Sequence, residues 1–169
     1  FGIEATGYTL REIARLDPEW IETFKHMAEG GQVELIGSGF SQMIGPLVPN
    51  AVLEANLELG MREYETLLGF RPDLALINEQ AFSAGLVPSY KRAGFTAIIM
   101  DWDACAANHP EWDKTWRFLP QRASDGAGET IPVIWTHTLA FQKLQRVAHN
   151  DLELSEYRDY VASRRGDGP

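Results

Sequence analysis

The fold is indicated first by the stretch Leu74-Ala75-Leu76-Ile77-Asn78-Glu79, in which an apolar run ends at an amide and a carboxylate. Such a short apolar run is typical of a strand buried on both faces of a parallel sheet. The residues that follow, Gln80-Ala81-Phe82-Ser83, lead into a helix that we predict from about Ser83 to Ala93. Barrels built from alternating strands and helices carry their functional side chains where strands end and helices begin. Asn78 and Glu79 are therefore candidates for a functional site.

Two other segments have the same layout. The strand predicted at 32–36 runs into Gly37-Ser38-Gly39, and the strand predicted at 96–100 runs into Asp101-Trp102-Asp103. Because parallel strands end at the same edge, their polar endings are expected to share one rim. Further elements are predicted as helices at 10–16, 17–30, 51–68, 140–147 and 154–163, and as a strand at 131–135. Short apolar strands that alternate with helices predict an α/β fold with parallel strands and outer helices.

The composition excludes several classes of partner. The chain has 169 residues, a net charge of −9 and a pI of about 4.9, so a phosphate backbone would be repelled and a nucleic-acid partner is not expected. It has no apolar stretch near the roughly 20 residues that span a bilayer and no basic amphipathic helix, so no membrane partner is expected. Cys105 is the only cysteine, which excludes an internal disulfide and favours a cytoplasmic location.

Carboxylates at strand ends suggest several chemistries. Glu79 suits a nucleophile, a general base, a metal ligand or a structural ion pair. If the strand continues to Asp103, Asp101 and Asp103 point to the same side, where they would hold sugar hydroxyls, bind a metal or cap the next segment. Glu34 lies within an apolar strand, so it requires either a buried salt bridge or a cavity such as a barrel lumen. Trp102 is a candidate for stacking on a sugar ring, with a place in the core as the alternative.

Other catalytic chemistries lack their motifs. The four histidines, His26, His109, His137 and His149, have no spacing typical of metal ligands. No Gly-rich phosphate loop follows a strand, and no Gly-x-Ser-x-Gly elbow is present. The sequence therefore does not favour a zinc enzyme, a nucleotide-binding protein or a serine hydrolase.

The stretch Gly31-Gln32-Val33-Glu34-Leu35-Ile36-Gly37 resembles the second conserved motif of glycoside hydrolase family 57, which includes α-amylases, 4-α-glucanotransferases and branching enzymes. Glu79 falls where that family carries its catalytic nucleophile. Asp101-Trp102-Asp103 falls where the family has an acidic strand end one βα unit later. Residues 138–148 and 156–160 also resemble members of the family, so the resemblance covers most of the chain.

The resemblance implies an incomplete (β/α)7-type barrel. Residues 1–169 would form a single domain, the central part of a catalytic barrel without its first strand and its C-terminal strands. The family's His-Gln-Pro motif is then expected before Phe1, and its acid/base Asp after Pro169, so this segment alone is expected to be inactive. The family nucleophile usually lies in a Trp-Leu-Pro-Glu-like string, whereas residues 76–79 read Leu-Ile-Asn-Glu, which indicates a divergent subgroup.

The implied activity is a retaining reaction on an α-linked glucan, with an oligo- or polysaccharide as substrate and with no cofactor or metal. Glu79 would be the nucleophile, assisted by a hydrogen bond from Asn78 or Gln80. Asp101 is the acid candidate within the chain. The substrate-binding candidates are Gln32, Glu34, Ser38, Asn78, Trp102 and Asp103. Two alternatives remain open: a metal-dependent polysaccharide deacetylase on a related barrel, and a barrel that binds carbohydrate without turnover.

Overall fold

A computed structural model of the protein describes residues 1–164. These residues form two compact units. The first unit comprises residues 1–99 and 122–133, and the second comprises residues 100–121 together with the chain from 134 onward. The single domain expected over residues 1–169 stays a prediction.

The strands form one six-stranded sheet in the order β1-β2-β3-β4-β6-β5. Their bounds are β1 (Gly2–Ala5), β2 (Glu34–Gly37), β3 (Leu74–Leu76), β4 (Ala97–Asp101), β5 (Gln121–Ser124) and β6 (Thr130–Thr136). β1 to β4 are parallel neighbours, with Ile3 opposite Leu35, Gly37 opposite Ala75 and Leu76 opposite Ile99. The carboxyl ends of β1, β2 and β3 therefore lie at one edge of the sheet, which the sequence predicted for β2 and β3.

Helices follow or connect the strands, and most begin where local chemistry favours a helix start. Their bounds are α1 (Gly7–Leu16), α2 (Pro18–Glu29), α3 (Asn50–Leu68), α4 (Leu86–Ala93), α5 (Trp102–Ala106), α6 (Thr138–Ala148) and α7 (Leu154–Arg164). The Asp17 side chain accepts a hydrogen bond from the Trp20 N–H at 3.1 Å, with Pro18 at the first helical position. α3 ends at Gly69, whose φ of +81° suits a residue without a Cβ.

The core of the first unit is built around α3. This helix buries one continuous stripe, which includes the predicted residues Leu53, Leu57, Met61, Tyr64 and Leu68. Gly60 lies on the same helix, and a Cβ built there would lie 2.6 Å from the Phe40 backbone nitrogen. The absence of a side chain at Gly60 thus lets α3 lie directly against the loop that follows β2.

Some details of the elements differ from the sequence predictions. β5 was not predicted, because Gln121–Ser124 contains no apolar run. α4 begins three residues later than predicted, since residues 81–85 remain irregular after a turn at 78–80. α1 begins at Gly7 rather than Leu10, because the Thr6 hydroxyl accepts a hydrogen bond from the Thr9 N–H at 3.0 Å and caps the helix.

No helix within residues 1–164 is both long enough and apolar enough to span a membrane.

Candidate active site

Glu79 lies in a short 3₁₀ turn, Asn78–Gln80, immediately after β3, and its side chain is exposed. The turn is closed by hydrogen bonds from Gln80 N to Ile77 O at 3.1 Å and from Ala81 N to Asn78 O at 3.2 Å. Glu79 and Gln80 have φ values of +53° and +54°. For residues other than glycine this left-handed conformation costs about 1–2 kcal/mol each. Consecutive strained residues of this kind cluster at functional sites.

Asn78 precedes Glu79 in the turn and is 5% exposed. Its Nδ2 donates a hydrogen bond to the Ser38 carbonyl oxygen at 3.2 Å, across from β3 to the end of β2. Its Oδ1 is buried and has no hydrogen-bond partner among residues 1–164. Its Nδ2 is thus bound to Ser38, and a hydrogen bond from Asn78 or Gln80 to the Glu79 carboxylate stays a prediction.

Ser38 is fully buried and is the centre of a hydrogen-bond network at the ends of β1 and β2. Its hydroxyl donates to Glu4 Oε1, and its N–H donates to the Tyr64 hydroxyl oxygen at 3.2 Å. The Tyr64 hydroxyl lies 2.8 Å from the Ala5 carbonyl oxygen and 2.9 Å from that of Gly39, so it can donate to either. Burial, the largest cause, raises the pKa of Tyr64 to about 12.

We call the group Glu4, Ser38, Asn78 and Glu79 the rim site, because it joins the carboxyl ends of three neighbouring strands. Sequence reasoning placed three of these residues at strand ends and missed Glu4. The signal for Glu4 was present, since Ile3-Glu4-Ala5 is a short strand followed by a helix cap at Thr6. The sequence predicted Tyr64 only as a member of the apolar stripe of α3. The hydrogen bonds of its hydroxyl group were not predicted, because a helical spacing of apolar residues does not reveal them.

A cleft of about 350 Å³ lies beside Glu4 at the same edge of the sheet. Its lining combines polar and apolar surface and consists of Glu4, Ala5, Thr6, Tyr8, Thr9, Ser41 and Gln42. Ser41 is held by Asn56, whose Oδ1 accepts from the Ser41 N–H at 2.9 Å and from its hydroxyl at 3.2 Å. The cleft thus offers a carboxylate from β1 and hydroxyl groups, and its Ser41 side lies on a loop that is fixed by α3.

The structure corrects the placement of Glu34 and Gln32. Glu34 is the first residue of β2 and is exposed, so the prediction of a buried mid-strand carboxylate is wrong. Strand pairing sets this start, because the Glu34 N–H donates to the Phe1 carbonyl at 2.7 Å. Gln32 precedes the strand and is exposed, with its carbonyl accepting from the Phe1 amino group at 2.9 Å. Both residues lie at the amino end of β2, and the three-residue rise to Gly37 separates Glu34 from the rim by roughly 10 Å.

In the second unit, Asp101 ends β4 and caps α5. Its Oδ2 accepts from the Ala104 N–H at 2.8 Å, and its Oδ1 accepts from the N–H of Thr138 at 3.1 Å and from the hydroxyl of Thr138. The capping role that the sequence left open for Asp101 is thus the one that its geometry shows. Asp103 lies in α5 and is exposed, so the strand does not continue and the prediction that Asp101 and Asp103 share a strand face is wrong.

Trp102 is 6% exposed and belongs to an aromatic core in the second unit. Its ring lies 5.8 Å from the ring of Trp112 and 5.4 Å from that of Trp135. The core position that the sequence left open for Trp102 is therefore the one that its burial shows, and the prediction that it offers a face to a sugar is wrong. Burial first, and then the charge of Asp101, raises the pKa of the Cys105 thiol. This environment does not favour the thiolate that a nucleophilic cysteine requires.

Within residues 1–164, no three His, Cys, Asp or Glu side chains are grouped so that they could hold a metal ion.

Comparison with known proteins places this arrangement in a family. The family model for glycosyl hydrolase family 57 matches residues 1–133. The 4-α-glucanotransferase of Thermococcus litoralis is 23% identical over 132 residues, which are 78% of this chain and 19% of that protein. The α-amylase of Pyrococcus furiosus is 25% identical over 132 residues, covering 78% of this chain and 20% of that protein. The chain thus spans about a fifth of the length of these relatives.

Solved structures share the fold. The crystal structure of the Thermococcus litoralis 4-α-glucanotransferase superposes with a TM-score of 0.74 at 20% identity, over 85% of this chain and 22% of that chain. The α-amylase AmyC of Thermotoga maritima gives a TM-score of 0.61 at 18% identity, over 80% of this chain and 26% of that chain. These likenesses confirm the predicted fold class, the incomplete (β/α)7-type barrel. Since the family model covers more than half of the residues, the chain belongs to glycosyl hydrolase family 57.

Proposed function

We propose that this chain is part of the catalytic barrel of an enzyme that acts on α-linked glucans, as a retaining glycoside hydrolase or glucanotransferase, with Glu79 as its nucleophile. The observation that carries the proposal is the position of Glu79. Its carboxylate is exposed on a strained turn at the carboxyl end of a parallel strand, in a chain of family 57. The two relatives named above, an α-amylase and a 4-α-glucanotransferase, support an α-glucan as the substrate.

The proposed reaction has two steps. In the first, a Glu79 oxygen attacks the anomeric carbon, the glycosidic C–O bond breaks, and a glycosyl ester forms on Glu79. The leaving oxygen takes a proton from a second carboxylic acid, which lies about 5–5.5 Å from the nucleophile in retaining enzymes. In the second step, that group, now ionised, takes a proton from water or from an acceptor sugar hydroxyl, whose oxygen displaces Glu79. Water gives hydrolysis and a sugar gives transfer.

We propose that the acid/base group lies outside residues 1–169. Asp101 was the candidate within the chain, but its two oxygens accept hydrogen bonds from the Ala104 and Thr138 N–H groups and from the Thr138 hydroxyl. A carboxyl group engaged in this way by peptide donors serves as a helix cap. Asp101 is therefore given no role in proton transfer.

Substrate hydroxyls are proposed to bind along the cleft beside Glu4. Its carboxylate, hydroxyl and amide side chains suit sugar hydroxyls, which both donate and accept hydrogen bonds. Ser38 would contribute by orienting the Glu4 carboxylate through its hydroxyl. Glu4→Gln is expected to raise KM for an oligosaccharide more than it lowers kcat, because it removes an acceptor that is bound equally before and during reaction.

The test is a pair of variants in the full-length protein, assayed on α-linked maltooligosaccharides for both hydrolysis and transfer. Glu79→Gln keeps the size of the side chain but removes the nucleophile, so kcat is expected to fall by roughly a thousandfold or more. Glu79→Ala leaves space for sodium azide, which should restore turnover and give a glycosyl azide of inverted configuration. Glu22→Gln, at an exposed carboxylate of α2, is the matched control and should retain wild-type turnover. Full activity of Glu79→Gln would overturn the assignment.

A further inference from the structure

The turn that carries Glu79 holds its conformation against a local preference for another one. Glu79 and Gln80 both have positive φ, and neither residue type favours that region. The hydrogen bonds that close the turn join neighbouring backbone groups, so they fix its shape but not its direction. Its direction requires a contact with another part of the protein. The Asn78 side chain provides such a contact, because Nδ2 donates to the Ser38 carbonyl oxygen at 3.2 Å, forty residues away in the sequence.

The group that receives this hydrogen bond is itself fixed. Ser38 is fully buried, its N–H is bound to the Tyr64 hydroxyl, and its own hydroxyl is bound to Glu4. Tyr64 is also fully buried and belongs to the central stripe of α3. The Ser38 carbonyl oxygen is thus a rigid reference point at the end of β2, and a side chain bound to it shares that rigidity.

Stability alone does not account for an amide at this position. Asn78 is 5% exposed, and its Oδ1 is buried without a hydrogen-bond partner among the described residues. A buried acceptor without a partner costs about 1–3 kcal/mol, a cost that an apolar side chain of similar size would avoid. The amide therefore combines one well-placed hydrogen bond with an energetic penalty, a combination typical of residues retained for function.

We infer that Asn78 is a positioning residue, which fixes the direction of the Glu79 carboxylate by tying its turn to the Ser38 carbonyl oxygen at the end of β2. The inference rests on the proposed function, since it requires Glu79 to be the nucleophile. Asn78 then contributes to catalysis only through Glu79. A change of about 1 Å in the position of a reacting group can lower a rate by roughly a hundredfold.

The test compares Asn78→Leu in two backgrounds of the full-length protein, with an aryl α-maltooligosaccharide as substrate. Leucine has the same number and branching of side-chain heavy atoms as asparagine, and its methyl groups cannot donate a hydrogen bond. In the background with Glu79 present, kcat is expected to fall roughly 10- to 100-fold while KM changes less than about twofold. In the Glu79→Ala background, where azide replaces the carboxylate, the rescued rate is expected to be the same with and without the Asn78→Leu substitution. Azide reaches the anomeric carbon from solution, so it does not depend on the direction of the turn.

Two further variants make the result decisive. Asn108→Leu is the matched control, because the exposed Asn108 amide also donates a hydrogen bond at 3.2 Å to a backbone carbonyl, that of Ala104. Asn108 lies far from Asn78 in the sequence. It should leave both rates unchanged. Asn78→Ala removes the same donor without added bulk and takes the place of Asn78→Leu if the thermal unfolding midpoint shows that the latter is not folded.

Each outcome has one meaning. A fall in the azide-rescued rate equal to the fall in kcat would show that Asn78 supports the fold or binds substrate, and it would overturn the inference. An unchanged kcat, or a change in KM alone, would also overturn it. If Glu79→Ala remains active, or if azide does not restore it, the proposed nucleophile is wrong, whatever the Asn78 variants do.

Discussion

Tyr64→Phe removes one oxygen atom from the centre of the hydrogen-bond network beneath the rim site. The expected loss of folding stability follows from the hydrogen bonds that this atom makes. The Ser38 N–H loses its acceptor, and the Ala5 carbonyl loses a donor at 2.8 Å. The Gly39 carbonyl keeps a partner, because it also accepts from the Gly7 N–H at 2.9 Å. Leaving a buried polar group without a partner costs about 1–3 kcal/mol, so we expect Tyr64→Phe to lower the free energy of unfolding by about 2 kcal/mol.

A matched control separates the hydrogen bonds from burial. Tyr90 is 2% exposed on α4, and burial raises its pKa to about 12, as it does for Tyr64. The structure gives Tyr90 a ring contact with Phe95 at 5.8 Å and no hydrogen bond from its hydroxyl within residues 1–164. Tyr90→Phe is therefore expected to change the free energy of unfolding by less than about 0.5 kcal/mol.

Urea unfolding followed by far-UV circular dichroism measures both variants under the same conditions, and comparison of the midpoints at constant slope gives the difference. Tyr64→Phe should unfold at a clearly lower urea concentration than Tyr90→Phe. If the two variants have the same midpoint, the Tyr64 hydroxyl does not hold the ends of β1 and β2, and the rigidity that we assign to Ser38 has no basis.

Three other changes have expected outcomes. The folded-state pKa of Tyr64 and of Tyr90 is raised from 10.0 to about 12, so their contribution to stability is fully present below pH 10 and should be lost as the pH rises from 10 to 12. Urea unfolding at several pH values across that range measures the loss, and a free energy of unfolding that does not change with pH would contradict it. Gly60→Ala should lower the free energy of unfolding by about 1–3 kcal/mol, since its Cβ would meet the Phe40 backbone, and the thermal unfolding midpoint should fall accordingly. Gly85→Ala, which has open space around it, should leave the midpoint unchanged. Asp101→Ala should lower the free energy of unfolding by about 1–2 kcal/mol through the loss of the α5 cap. Asp101→Asn keeps an acceptor oxygen and should lower that free energy by less; equal losses of stability in the two variants would argue against the cap.

Elements determined by local chemistry were predictable from the sequence. The start of α2 follows from Asp17-Pro18 and the end of α3 from Gly69, because capping depends on a few neighbouring residues. The buried stripe of α3 follows from apolar residues at spacings of three and four. The place of Glu79 at a strand end follows from the abrupt change from apolar to polar residues after Ile77. In each case the pattern and its cause lie within one helix or one strand.

Features determined by distant partners were not predictable. The apolar run around Glu34 reads as a continuous strand, but pairing with β1 starts that strand at Glu34 itself, so the carboxylate is exposed at the opposite edge from the rim. Asp101 looked equally suited to catalysis and to capping. The hydrogen bonds that identify it as a cap involve Thr138, whose sequence position gives no sign of the contact. Trp102 likewise required the positions of Trp112 and Trp135 to identify it as a core residue.

The left-handed turn at Glu79 and Gln80 is the clearest case of a local preference overridden by distant contacts. Neither residue type favours positive φ, so no local pattern predicts the turn. The side chain of Asn78 binds the end of β2 while the Ile77 N–H binds the Ile99 carbonyl of β4 at 3.1 Å, so the segment is held from both neighbouring strands before the turn begins. A chain fixed on both sides in this way can carry a strained turn that would relax in isolation. A side chain on such a turn has a direction set by the sheet rather than by its own neighbours, which is what a reaction at a single carbon atom requires of its nucleophile.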